Sequence, residues 1–151
     1  MKVGDILRIV ENQEAAIRPM MEVETVFKAL GDTNRLRIVN LLLHGELCVC
    51  DIQYVLQNTQ PNISRHLAYL KRSEMVLDRR DGYRVFYRLA NVRKSEKKRL
   101  FEFLRKIFES EAQLNRDTER LKKAIASGAC TLSEWNPFSA IEKSHAHSTT
   151  A

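Results

Sequence analysis

The chain has 151 residues, with 25 Lys and Arg against 19 Asp and Glu for a net charge of +6, and 44% hydrophobic residues; this suits one domain and leaves no room for two of ordinary size. Only 5 glycines and 3 prolines argue against a turn-dense sandwich or barrel and favour helices joined by short connections. The longest apolar run, Leu47 to Cys50, is far below the roughly 18 residues that span a bilayer, and three cysteines cannot close a disulfide framework.

Taken in chain order, Asp5 to Leu30 carries Ile6, Ile9, Val10, Ile17, Met20, Met21, Val26, Phe27 and Leu30 at helical spacing, with Pro19 splitting the stretch into two helices. Asp5, Arg8, Glu11 and Glu14 interrupt its apolar residues, so no signal-peptide core is present and a cytoplasmic location is expected. Gly31 ends the second helix. Asp32 or Thr33 then caps a helix with Leu36, Val39, Leu42 and Leu43 on its apolar face, closed by Gly45 at positive φ. Glu46 to Asp51 leads into a short helix through Gln57, Asn58-Thr59 turns the chain, and a helix from about Gln60 to Arg72 buries Ile63, Leu67 and Leu70. Two short helices about a tight turn predict a helix-turn-helix.

After Ser73 the period changes. Val76 to Arg80 and Tyr83 to Leu89 are β-rich, and Asp81-Gly82 between them predicts a type I′ hairpin, which would form a wing. From residue 92 to about 125 helical spacing returns, with Leu100, Ile107, Leu114 and Leu121 seven apart and Leu104, Thr118 and Ile125 between them, weakened by Glu111. Such a helix is too long to bury its stripe on one small domain, so it is expected to pack on the N-terminal helix and on a second copy. Periodicity is lost from Ser127 onward. The expected fold is therefore mainly α with one β-hairpin: a winged helix-turn-helix and dimerisation domain over residues 1–126, homodimeric through its N- and C-terminal helices, and a mobile tail over 127–151.

The charge is unevenly spread. Residues 1–59 have a net of −2, residues 60–90 a net of +4, residues 91–125 a net of +5, and the last 26 residues a net of −1. A basic middle beside an acidic N-terminal half is the footprint of a surface that faces a polyanion, and double-stranded DNA is favoured over membrane because no amphipathic anchor stands out. On the second helix of the helix-turn-helix, Gln60, Asn62, Ser64 and Arg65 are residue types that read base edges in the major groove. Arg79, Arg80 and Arg84 on the hairpin are placed for phosphates or the minor groove. His66 is left between a base contact and an ordinary, partly exposed helix position.

Cys48-Val49-Cys50 is a soft-metal or redox pattern at a helix N-terminus, where thiolates are favoured. Both residues also suit a plain core role, since free cysteine is among the most buried residue types. Residues i and i+2 lie about 200° apart around a regular helix, so a shared ion is expected to require a distorted first turn. His145 and His147 form at best a weak cation pair in the tail, and Trp135 and Phe138 read as packing residues. No Cys–His pairing or cofactor motif suggests an enzyme, and no organic cofactor is expected.

From Phe27 to Leu89 the chain resembles the metal-responsive ArsR/SmtB repressors. The resemblance rests on Ala29-Leu30-Gly31-Asp32-Thr33-Asn34-Arg35-Leu36-Arg37-Ile38, Glu46-Leu47-Cys48-Val49-Cys50-Asp51-Ile52, Ser64-Arg65-His66-Leu67 and the wing from Arg79 to Leu89. The Glu-Leu-Cys-Val-Cys-Asp box is similar to that of the arsenic and antimony branch. The resemblance implies a homodimeric repressor that sits on a palindromic operator and leaves when As(III) or Sb(III) binds Cys48 and Cys50. Arsenic sensors of this type carry a third cysteine three residues after the box, where this chain has Gln53. The third thiolate must then come from Cys130, from a small external thiol, or from nowhere. The zinc-sensing branch places Asp and His pairs on the last helix, and residues 92–125 contain no histidine. The alternative within the same fold is a thiol switch that joins Cys48 or Cys50 to Cys130 under oxidants or sulfide.

Overall fold

The computed structural model describes residues 2–5, 22–90 and 95–127. The predicted split at Pro19 and the tail from residue 128 with Cys130, Trp135, Phe138, His145 and His147 lie outside the described residues. Helical residues 22–30 (α1) stop at Gly31, and α2 spans Thr33–Leu42. Asp32 caps α2, its Oδ1 accepting from the Arg35 amide at 3.0 Å. The Arg35 side chain reaches back to the Ala29 carbonyl (2.6 Å) and the Lys28 carbonyl (2.9 Å) while stacking 4.2 Å from the Tyr69 ring centre. One guanidinium therefore satisfies open carbonyls at the end of α1 and joins α1 and α2 to the helix that carries Tyr69.

Beyond Gly45, which takes a φ of 141° that favours glycine, the short strand β1 (Leu47–Cys48) runs directly into α3 (Val49–Leu56). Gln57 turns the chain in the left-handed region (φ 51°), and α4 follows over Gln60–Arg72, with Pro61 in its first turn where a missing N–H costs nothing. Ile63, Leu67 and Leu70 are buried as expected, and so is His66. The last lies 3.5 Å from both Asp32 and Asn34, so it knits α4 to the start of α2 and takes no part in the outer face.

The wing consists of β2 (Val76–Asp81) and β3 (Arg84–Leu89), and the sheet order β1-β3-β2 adds a strand that the sequence pattern did not announce. Asp81 pairs with Arg84, so the loop is Gly82-Tyr83 and not Asp81-Gly82. Only Gly82 has positive φ (60°), which is the type II′ pattern and replaces the expected type I′ turn. Arg79 and Asp81, two residues apart on β2, share one face and lie 3.6 Å apart.

The expected single helix over 92–125 is two helices, α5 (Ser95–Phe108) and α6 (Ala112–Ala126). No Gly or Pro marks the break. The Ser110 hydroxyl donates to the Ile107 carbonyl and the Asn115 amide to the Glu109 carbonyl, and these side chains close the open backbone groups while α6 folds back. The heptad seam is accordingly overturned. Phe101, Leu104 and Phe108 of α5 enter the core, and Leu114, Leu121 and Ala124 of α6 bury against α2 and α3 of the same chain. That stripe needs no second copy. The apolar residues facing outward are instead Phe103 (60% exposed) and Ile107 (43%) on α5, and Val23 (52%) and Phe27 (69%) on α1.

Polar groups fix where α6 docks. Asp117, 1% exposed, accepts from Arg37 Nε (2.7 Å) and Nη2 (2.9 Å) and from the Gln113 amide (3.0 Å). Asn40 donates to the Leu114 carbonyl and to Thr118, and Arg120 donates to the Val55 carbonyl. A carboxylate buried this deeply is tolerated because the guanidinium binds it with two parallel bonds. Replacing Asp117 with alanine leaves Arg37 without its buried counter-ion and should destabilise the fold by about 3–5 kcal/mol, read as a shift in the urea midpoint. A loss below about 1 kcal/mol would show that the clamp contributes no more than a surface pair.

His44 is half-buried near Thr118, and its imidazole is pushed down to about 4, first by burial and then by the charges of Arg105 and Lys122. The folded chain thus binds this proton less readily than the unfolded chain, whose histidine titrates near about 6.5. Stability from this group is complete above that value and falls as pH drops from about 6.5 toward 4. His44→Gln should flatten the decline in urea midpoint across that window; an unchanged decline would assign it to other groups.

Candidate nucleic-acid interface and dithiol site

Helix α4 separates its residues cleanly. Ile63, His66, Leu67 and Leu70 face inward, while Gln60, Ser64 and Arg65 are exposed and Asn62 is half-buried. Arg65 Nη2 donates to Asn62 Oδ1 one turn earlier, which restrains two long polar side chains on the outer face before any ligand arrives. The four predicted reading residues thus occupy the first half of one helix. The structure brings them together on the helix that follows the tight turn.

On the wing, Arg80 is exposed and Arg84 is half-buried beside Tyr83, which stands at the hairpin tip with 91% of its surface exposed. Arg79 differs from both. Its Nε and Nη2 each lie 2.7 Å from Glu46 Oε1, its Nη1 is 3.6 Å from Asp81, and its guanidinium stacks 4.4 Å from the centre of the Phe86 ring. The bond to Glu46 raises the Arg79 pKa above its ordinary value. Lys71, at the end of α4, is likewise paired with Asp78 on β2 at 2.8 Å. Two of the basic side chains counted along the sequence are therefore paired in or beside the wing, Lys71 with a carboxylate of its own segment and Arg79 with Glu46 from the acidic N-terminal segment.

The dithiol is built at the junction of β1 and α3. Cys48 occupies the N-cap position with extended backbone (φ −71°, ψ 148°), and Cys50 is the second residue of the helix proper. The Cys48 amide donates to Asp51 Oδ2 at 3.3 Å, and Asp51 in this first turn is buried. Because Cys48 stands before the helix, the 200° argument does not apply to it. The two Sγ atoms lie 2.9 Å apart, inside ordinary sulfur contact, without any distortion of α3. The expectation that convergence requires a deformed turn is overturned.

Cys48 is a buried free thiol and Cys50 is half-buried. Two soft donors on one side of a helix start suit a thiophilic ion; among the described residues no cluster of three or more His, Cys, Asp or Glu offers a harder cation a site. Gln53 is half-buried and contributes no sulfur, and Cys130 lies outside the described residues. Sequence reasoning missed Glu46 and Phe86. Cys48 pairs with Phe86 across β1 and β3, and Glu46 meets Arg79 over a separation of 33 residues, so no local pattern signals either contact.

Residues 32–77 match the bacterial regulatory proteins of the arsR family. A solution structure from Mycobacterium bovis, titled as the homodimeric winged helix-turn-helix DNA-binding domain of a possible ArsR-family regulator, aligns at 32% identity over 64% of this chain and 85% of that one, with a TM-score of 0.54. The chain belongs to the ArsR family. Among curated relatives, the arsenic resistance transcriptional regulator ArsR2 of Pseudomonas putida is 49% identical over 71 residues, which is 46% of this chain and 62% of that protein. The arsenical resistance operon repressor of Escherichia coli is 54% identical over 66 residues, 43% of this chain and 56% of that protein. The chain thus spans less than two thirds of the length of these relatives.

If the two sulfurs act as one chelate, a trivalent arylarsenical, which bridges neighbouring thiols, should bind the Cys130→Ser chain once per protomer and protect Cys48 and Cys50 together from alkylation. Capture of only one of the two, read by mass spectrometry of the alkylated peptides, would separate them into independent thiols.

Proposed function

We propose that the protein is a homodimeric transcriptional repressor that occupies a palindromic operator and is released when As(III) or Sb(III) is captured by Cys48 and Cys50. The observation that carries this reading is the convergence of two sulfurs at the start of α3, the helix that precedes and packs on α4, whose outer face is lined with side chains suited to bases. Membership of the ArsR family and similarity to arsenic resistance regulators support it.

In this reading α4 enters the major groove with Gln60, Asn62, Ser64 and Arg65, and Arg79, Arg80 and Arg84 of the wing meet phosphates or the minor groove. A second copy docks on the outward faces of α1 and α5, where Val23, Phe27, Phe103 and Ile107 are exposed, and its two-fold axis gives the operator its palindromy. Among the described residues no helix is long and apolar enough to cross a membrane, and the repressor acts beside DNA in the cytoplasm.

When arsenous acid binds the reduced chain, each thiol proton leaves with a hydroxide as water and an As–S bond replaces each As–O bond; Cys48 and Cys50 supply two such bonds and Cys130 the third. The chain's part is to present the first pair already converged at the N-cap of α3. Because α3 packs directly on α4, a shift of that first turn is passed to the reading helix. A coupling of about 1–3 kcal/mol, or 5- to 150-fold in DNA affinity, is ordinary for such a link. The short sulfur contact also favours a second reading, a thiol switch that responds to oxidants or persulfides, which mass spectrometry after arsenite and after persulfide distinguishes.

Fluorescence anisotropy with operator DNA tests the proposal. Cys48→Ser and Cys50→Ser should bind DNA as wild type does and no longer leave it with arsenite, and Cys130→Ser should release at higher arsenite concentration. Arg65→Ala should cost about 1–3 kcal/mol on the operator alone, whereas Arg84→Ala should weaken all sequences alike and reduce the salt slope by about one. Unimpaired release from the Cys48 and Cys50 variants would refute the sensing role of the pair.

A further inference from the structure

Resting on the function proposed above, we propose that Glu46 is the positioning residue through which the dithiol acts on the wing, so that inducer capture is read by the hairpin as well as by α4. Four contacts close a ring around Cys48. Cys48 is the register partner of Phe86, so their side chains share one face of the sheet. Phe86 is also the partner of Arg79 on the other neighbouring strand, and the Arg79 guanidinium lies 4.4 Å from the centre of its ring. Arg79 is bound through two nitrogens to Glu46. Glu46 precedes Cys48 by two residues on the same segment, which returns the ring to its start.

The hairpin is thus tied to the dithiol at two points. One is the β1–β3 ladder itself, a matter of two residue pairs. The other is Glu46, which fixes β2, the outer strand that β1 does not touch. Cys48 and Phe86 are both buried, so an atom added at Cys48 Sγ enters a packed face and must move its neighbours. Phe86 is the neighbour on that face, and Arg79 stacked upon it carries the shift to β2. Glu46 decides whether β2 follows. Without its carboxylate, Arg79 retains Asp81, a partner within the hairpin, and the outer strand loses its tie to β1.

The electrostatics make this testable without unfolding the chain. Both partners are partly exposed, with side chains 46% and 22% accessible for Arg79 and Glu46, and exposed ion pairs of this kind contribute little to stability. Glu46→Gln keeps the size and hydrogen-bonding capacity of the side chain and removes its charge. Glu46→Asp retains the charge.

The experiment uses the full chain as wild type, Glu46→Gln and Glu46→Asp. It measures arsenite loading by sulfur-to-arsenic ultraviolet absorbance, operator affinity with and without arsenite, and hydrogen exchange of the amides in 77–88. Glu46→Gln should load arsenite normally and bind DNA without arsenite within about threefold of wild type, because a surface pair is lost. Its arsenite-induced release should shrink by about fivefold or more, and its β2 amides (77–81) should cease to respond to arsenite while those of β3, still paired to β1, respond as before; both strands respond in wild type and in Glu46→Asp. Wild-type release and an unchanged β2 response in Glu46→Gln would overturn the proposal, as would an arsenite-free DNA affinity reduced more than about tenfold, which would make Glu46 a structural support only. A wild-type chain that neither loads arsenite nor releases DNA would instead remove the functional reading on which this one rests.

Discussion

Residue 48 has to satisfy two kinds of backbone order at once, and much of the molecule is arranged around that constraint. It is the last residue of β1, paired with Phe86, and it is the N-cap of α3, its amide turned to the Asp51 carboxylate. An N-cap residue keeps extended dihedrals, which a strand also requires, so one residue serves both without strain. The consequence reaches in two directions. The helix-turn-helix is anchored to the sheet through a strand of two residues, and the Cys48 side chain leaves the backbone from outside the helical spiral, which is why its sulfur can meet that of Cys50.

Around this junction the chain uses buried polar groups to orient its helices. Arg35 closes the end of α1 and stacks on α4, His66 links α4 to the cap of α2, and the Arg37–Asp117 pair sets α6 against α2. Apolar packing by Leu, Ile and Val is non-directional, and a small domain has many nearly equivalent ways to lay one helix on another. Bidentate and capping bonds are directional, and each removes alternatives. The apolar core holds the helices in place and the polar contacts select which face of each is presented.

The same selection leaves a division of labour on the surface. The outer face of α4 carries polar groups suited to bases, the wing carries a mixture of cations and their acidic partners, and the outward faces of α1 and α5 carry aromatic and aliphatic residues. Glu46, which counts with the acidic N-terminal segment, pairs with Arg79 of the wing, so net charge by segment overstates the field presented to a polyanion by that one charge. Arg80 and Arg65 contribute differently from Arg79, although all three count equally in a composition.

Features governed by residues close in the chain were legible from sequence. The Asp32 cap, the bounds of α4 with its inward stripe of Ile63, Leu67 and Leu70, the left-handed Gly45, and a hairpin at Gly82 all follow from short-range sterics and from periods of 3.6 and 2. The Cys-x-Cys pattern and the basic middle of the chain likewise pointed to a thiophile and to a polyanion. What tertiary structure alone decided involves groups far apart in sequence. The break between α5 and α6 carries no Gly or Pro, and it exists because Leu114, Asp117 and Leu121 gain more by returning to α2 and α3 than by extending one helix into solvent. The strand β1 forms because β3 offers it a ladder, the hairpin register that pairs Asp81 with Arg84 puts the loop at Gly82-Tyr83, and Arg79 is held by a carboxylate 33 residues away. Periodicity records which face of an element is apolar, but it does not record what that face will meet.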